Sequence, residues 1–429
     1  MTRSPEPGES SARNSARSFY ARLGPGLIFA GAAVGVSHLV QSTRAGASYG
    51  MALLAVVLLA NLLKYPAFRF GTHHAAASGV SLLEGYRRQG RGFLALYLLL
   101  TFGTMWTVQA AVTVVSAGLF ASVLGIDASP IAISAGLLAF CAALLAVGRY
   151  RWLDALTKAA VLVFTMATFA ATAFALPRLA QVPWTPDFGG LGAADVLFIV
   201  ALMGWMPSAI DVSVWQSLWT LAKADSLGQL SLRESTVDFH VGYIGTAVLA
   251  VCFLILGAGV LYEVPLEAQP AAFGAQLIDL YGQTLGEGLR PVLALSAFLV
   301  MFSTTLTVLD GFPRALAVAV ARLSSAEAPY GSQTPEKPYT ARAYWTALLS
   351  LALGSLAVLS FLLSSLRAMV DLATTLSFLT APVLSWLNHR AVFALPEDRP
   401  SERMRRFSVV GIVAQGAFAI YYGWLKVSG

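Results

Sequence analysis

DVLFIVALMGWMPSAIDVSVWQSLWTL, residues Asp195 to Leu221, decides how this chain is read. The stretch is apolar over more than the length of a bilayer, yet Gly204, Pro207 and Asp211 sit in its middle. About 20 apolar residues cross a membrane. A proline lacks a backbone donor and disrupts the turn before it, which frees carbonyls near Met203 and Gly204. Inside a bilayer, freed carbonyls persist only where protein or water satisfies them. A second stretch, GPGLIFAGAAVGVSHLVQSTRAGASYG from Gly24 to Gly50, breaks similarly at Gly35-Val36-Ser37-His38. Interrupted spans in corresponding positions of two halves mark the binding site of a membrane transporter. The pair therefore predicts a solute site where two broken helices cross.

Composition agrees. The 429 residues are 57% hydrophobic and 12% charged, with mean hydropathy +0.69. Soluble domains carry about 25% charged residues. The apolar stretches are continuous rather than alternating, which excludes a transmembrane barrel. Eleven spans are expected near 24–48, 50–70, 93–123, 129–147, 153–176, 194–222, 236–261, 288–318, 342–364, 367–390 and 407–427. Spans one to five overlay six to ten, with a broken span leading each set. An odd number of spans per set inverts one half relative to the other.

The expected fold is thus an all-α membrane protein of about 11 transmembrane helices. It is an inverted five-plus-five repeat with helices 1 and 6 broken, plus one extra C-terminal helix. Residues 1–22 read as a polar tail and 23–429 as one transporter domain. Within it, repeat one covers 23–178, repeat two 193–392 and the extra helix 406–427.

The net charge of +6 is a topology signal. Arg87, Arg88, Arg91, Arg149, Arg151, Arg403, Arg405 and Arg406 fall on the N-terminal side of the alternation. The other side holds only Arg44, Arg178, Arg290, Arg367 and Lys426. The positive-inside rule places the N-terminus in the cytoplasm and the C-terminus outside. The setting this suggests is a bacterial inner membrane, and the charge implies no nucleic-acid partner. Tyr262–Glu287 reads as an acidic outer loop, Ser324–Lys337 as an inner linker, and Cys141 and Cys252 as packing residues.

Gly35 and Ser37 are poor helix residues, which suits either an unwound site or close helix packing. His38 follows them. Met206 offers a soft thioether that favours transition metals, or plain packing. Asp211 shares a helix face with Ser208. An ionisable residue inside a span is a cation or proton site by default; the alternative is a structural pair, with Arg44 as partner. Arg44, Gln109, Asp238, His240 and Asp310 are further coupling or pathway candidates, with interfacial anchoring as the alternative. Asp310 is spaced to pair with Arg314. The chain has no HExxH, P-loop, paired CxxC or GxSxG motif, so neither an enzyme nor a cofactor is expected.

The chain resembles the NRAMP family of proton-coupled divalent metal transporters. The residues that carry this are the GPG opening and AGA close of the first broken span, LLANLLK in span two, Met206-Pro207-Ser208 in span six and FSTTLT in span eight. The resemblance implies alternating access in an inverted five-plus-five fold, with manganese, iron or magnesium as substrate and protons co-transported. Metal-transporting members carry Asp-Pro-Gly-Asn in the first break, where this chain has Gly35-Val36-Ser37-His38. Their Met-Pro-His is here Met206-Pro207-Ser208. By the resemblance, Met206 and the Met203 carbonyl remain as metal ligands. His38 and Asp211 would complete the set, with Gly35, Ser37 and Ser208 lining the site. A dehydrated cation needs anionic compensation, and the usual carboxylate is absent at Gly35. The alternative is the same fold carrying a small organic solute such as an amino acid or carboxylate.

Overall fold

The computed structural model describes residues 24–147, 151–185, 192–227, 231–324, 340–362, 365–395 and 398–428. The expected tail, 1–22, and linker residues 325–337 lie outside the described residues.

Those described residues contain helices and no strand. The first span is α1 (Pro25–Ala33), a π-helical turn (Ser37–Ser42) and α2 (Thr43–Tyr49). Then come α3 (Leu54–Ser78), α4 (Leu82–Gln89), α5 (Arg91–Leu124), α6 (Pro130–Val147) and α7 (Arg151–Ala175). The second repeat opens with α8 (Ala193–Trp205) and α9 (Asp211–Leu227). It continues with α10 (Leu232–Val260), α11 (Pro270–Leu285), α12 (Arg290–Ser324), α13 (Ala341–Leu362) and α14 (Leu366–Phe393). The last helix is α15 (Glu402–Ser428). Among the described residues nine helices are long and apolar enough to cross a membrane. The interrupted pairs α1–α2 and α8–α9 bring the spans to eleven, as expected.

Two short helices mark the inversion. α4 follows the second span of the first repeat, on the face where α1 begins. α11 follows the second span of the second repeat, on the opposite face. The acidic segment read as a loop therefore contains a sixteen-residue helix. Phe273, Leu277, Ile278, Leu280 and Tyr281 are buried on it, while its one acid, Asp279, is partly exposed. Four charges spread over the segment hid this apolar stripe, which recurs at helical spacing. The second span also runs further than expected. Thr72, His73 and His74 stay helical and buried because α9, α14 and α15 cover α3.

The first span is clamped to α10 at two crossings. A Cβ on Gly26 would lie 1.9 Å from Asp238 O, and one on Gly46 would lie 2.0 Å from Leu254 O. Only glycine permits this approach of backbones, the usual device of membrane helix packing.

Candidate functional site

The first break forms where the chain runs against α12. α1 ends at Ala33, and the Gly35 amide turns back to the Ala33 carbonyl at 2.9 Å. A Cβ at Gly35 would sit 2.9 Å from Thr304 Cγ2, so Thr304 occupies the space that a larger residue here would need. The chain resumes as a π-helical turn, a form found often at functional sites. The Ser37 hydroxyl lies 2.8 Å from Ala33 O and 3.2 Å from Pro207 O. The two breaks therefore touch through Ser37.

The second break spans Met206 to Ile210, between α8 and α9. The carbonyls it frees are not empty. Lys64 on α3 donates from Nζ to Met203 O at 2.6 Å, Gly204 O at 2.7 Å and Ser208 O at 3.4 Å. Its side chain is only 2% exposed.

Between the breaks lies a cavity of about 30 Å³, bounded by α1, α5, α8, α9 and α12. It has room for a few waters. Ser37, Ser208 and Thr304 supply its hydroxyls, and Trp205, Trp215 and Phe312 its aromatic wall. All six are at most 9% exposed. Neither a carboxylate nor an imidazole is among the lining residues.

Ser37 and Ser208 thus meet at the cavity, and Gly35 abuts its Thr304 wall. The other expected site residues have different neighbours. The two ring nitrogens of His38 face the Ser37 hydroxyl at 2.7 Å and Thr246 O on α10 at 2.9 Å. A carbonyl only accepts, so Nε2 carries a proton and offers no lone pair. Met206 is fully buried, with the Ser42 hydroxyl 4.0 Å from its sulfur. Asp211 is 1% exposed, and neither carboxylate oxygen has a hydrogen-bond partner among the described residues. His38, Met203, Met206 and Asp211 do not line the cavity. No group of three His, Cys, Asp or Glu able to hold a metal occurs among the described residues.

Arg44 does not pair with Asp211. Its Nη1 donates to Asp371 Oδ1 on α14 at 2.6 Å, and its guanidinium lies 4.2 Å over the Phe198 ring. Gln41 Nε2 reaches the same carboxylate at 3.3 Å. These contacts tie α2, α8 and α14 together on the face away from α1. On the near face, Asp238 accepts from the Gly24 and Gly26 amides at 2.9 and 2.6 Å and caps α1. His240 Nε2 lies 2.6 Å from the Tyr65 hydroxyl. Asp310 accepts from Arg314 at 2.8 Å and from the Tyr344 hydroxyl at 2.7 Å. Gln109 Nε2 donates to Thr113 at 2.9 Å within α5. Lys64 and Asp371 are not among the expected site residues, although each is an ionisable residue in an apolar span and so carries the signal that singled out Asp211.

The uncharacterized protein PM0681 of Pasteurella multocida strain Pm70 is 34% identical over 425 residues, covering 95% of this chain and 94% of that protein. The chain belongs to that protein's family. No family model matches it. Solved structures across the family's fold are more distant in sequence. A manganese transporter of Eremococcus coleocola superposes with a TM-score of 0.64 at 14% identity, over 98% of this chain and 88% of its own. MhsT, solved in complex with L-phenylalanine, gives 0.63 at 14% identity, over 94% and 98%. A Na+-coupled sialic acid symporter gives 0.57 at 12%, over 93% and 89%. At such identities the likeness carries the fold alone. The chain thus has the fold of these membrane transporters and is an integral membrane protein with multiple membrane-spanning helices.

Proposed function

We propose that this chain is a secondary transporter working by alternating access, and that its cargo is a small organic solute such as an amino acid or carboxylate. One observation carries the reading. The cavity joining the two breaks offers hydroxyls, indoles and alkyl groups, and no anionic side chain. A dehydrated divalent cation there would lack compensation. A solute with an apolar part and a few hydrogen-bonding groups suits such walls. Its carboxylate would be favoured at the start of the half-helix beginning at Ser37. The cavity must widen to admit it, which an outward or inward opening of the broken spans provides.

The Arg44–Asp371 pair is the proposed outer closure, and the Asp238 cap on α1 the proposed inner one. Arginine bias supports a cytoplasmic N-terminus in a bacterial inner membrane. Protons are the proposed coupling ion, because Asp211 is a buried ionisable group beside the second break.

A second reading, NRAMP-like uptake of manganese, iron or magnesium, rests on the buried unpartnered carboxylate of Asp211. Uptake by proteoliposomes of the full chain separates the two. Labelled amino acids and small carboxylates should accumulate and manganese should not. Accumulation of manganese alone would reverse the order of the readings.

A further inference from the structure

We propose that the Lys64 ammonium is a tethered stand-in for a bound monovalent cation, filling a carbonyl site in the second break so that the break closes without a metal ion there. Broken membrane helices coordinate small cations with the carbonyls that unwinding frees. Such carbonyls replace the ion's hydration shell. Here the Met203, Gly204 and Ser208 carbonyls converge on one nitrogen at 2.6, 2.7 and 3.4 Å. An ammonium has three N–H donors and no acceptor, so three carbonyls match its protonated form. A neutral amine would turn its lone pair against one of them. No carboxylate among the described residues pairs with Lys64, whose hydrogen bonds all go to this break. The carbonyl dipoles are therefore its compensation.

Two further points fix the role. Lys64 comes from α3 in the first repeat and the carbonyls from the second, so the contact joins the two repeats. Lys64 also does not line the cavity, so it acts on the break rather than on the cargo. The inference stands whichever cargo is carried.

Removing the tether should uncover the site. Lys64→Ala leaves a slot that a free cation can enter, whereas Lys64→Met fills it with a neutral chain. The purified full chain is melted in choline, sodium and n-propylammonium chloride at equal ionic strength. Wild type should give the same Tm in all three. Lys64→Ala should melt lower in choline and recover by about 2 °C or more in sodium or propylammonium, a shift that preferential binding to the folded state produces. Lys64→Met should melt lower with no recovery. If Lys64→Ala folds only when extracted in propylammonium or sodium, the rescue is the same result. The proposal is overturned if Lys64→Ala melts like wild type, if it gains no more from either cation than wild type does, or if it is lost in all three salts.

Discussion

The two breaks look alike in sequence and are held differently in space. The first is enclosed by close packing: Gly35 against Thr304, with the span it belongs to clamped to α10 at Gly26 and Gly46. The second is held by one long side chain, Lys64, which reaches its carbonyls from another helix. The first therefore depends on what is missing, a Cβ at a few positions, and the second on what is added, a buried amine. This explains how the chain keeps a broken-helix frame while lacking a carboxylate in the first break. Thr304 fills the place such a side chain would need, and a lysine supplies positive charge at the second.

The largest test of the packed break is Gly46→Leu. Its Cβ would start 2.0 Å from a backbone oxygen of α10, which cannot give way as a side chain does. Overpacking costs about 1–3 kcal/mol and sometimes more. We expect loss of the monodisperse protein on size exclusion, and a normal elution peak would break the comparison. Gly35→Asp should cost less, about 1–3 kcal/mol, because its obstacle is the Thr304 side chain. Adding Thr304→Ala should restore most of the lost Tm. If it restores none, Thr304 is not what excludes the acid.

Smaller effects lie at the closures. Arg44→Ala and Asp371→Ala should show a coupling of about 1 kcal/mol in a double-mutant cycle of thermal stability. The carboxylate side chain is 31% exposed, so solvent screens the pair. Independent effects would mean the far face is not tied by this contact. Smallest is Ser37→Ala, which removes the hydroxyl joining the breaks. It should lower stability by about 1 kcal/mol or less while weakening uptake of the cargo. Unchanged uptake would place Ser37 outside the binding site.

The frame was legible because hydropathy and helix breakers are local signals. Gly35, Pro207 and the run of apolar residues around them fixed the spans and the place where they cross. The helix α11 was not, because the acids of the segment around it masked its apolar stripe. Side-chain direction was still less accessible. His38 lies in the first break by sequence, yet its ring turns to Thr246, some 200 residues later in the chain. Asp211 was weighed against Arg44 as a partner, but Arg44 is engaged by Asp371 on α14. Such pairings depend on how the eleven spans pack, which no spacing within one of them encodes. Lys64 carried its own warning as a lone charge in an apolar span. What it would hold became visible only with the second break beside it.

The central claim is that the crossing of the breaks accepts an organic solute rather than a dehydrated metal ion. Isothermal calorimetry of manganese with the purified full chain tests it most directly. The account predicts no saturable heat. One saturable site per chain, abolished by Asp211→Asn, would contradict it and return the site to a metal.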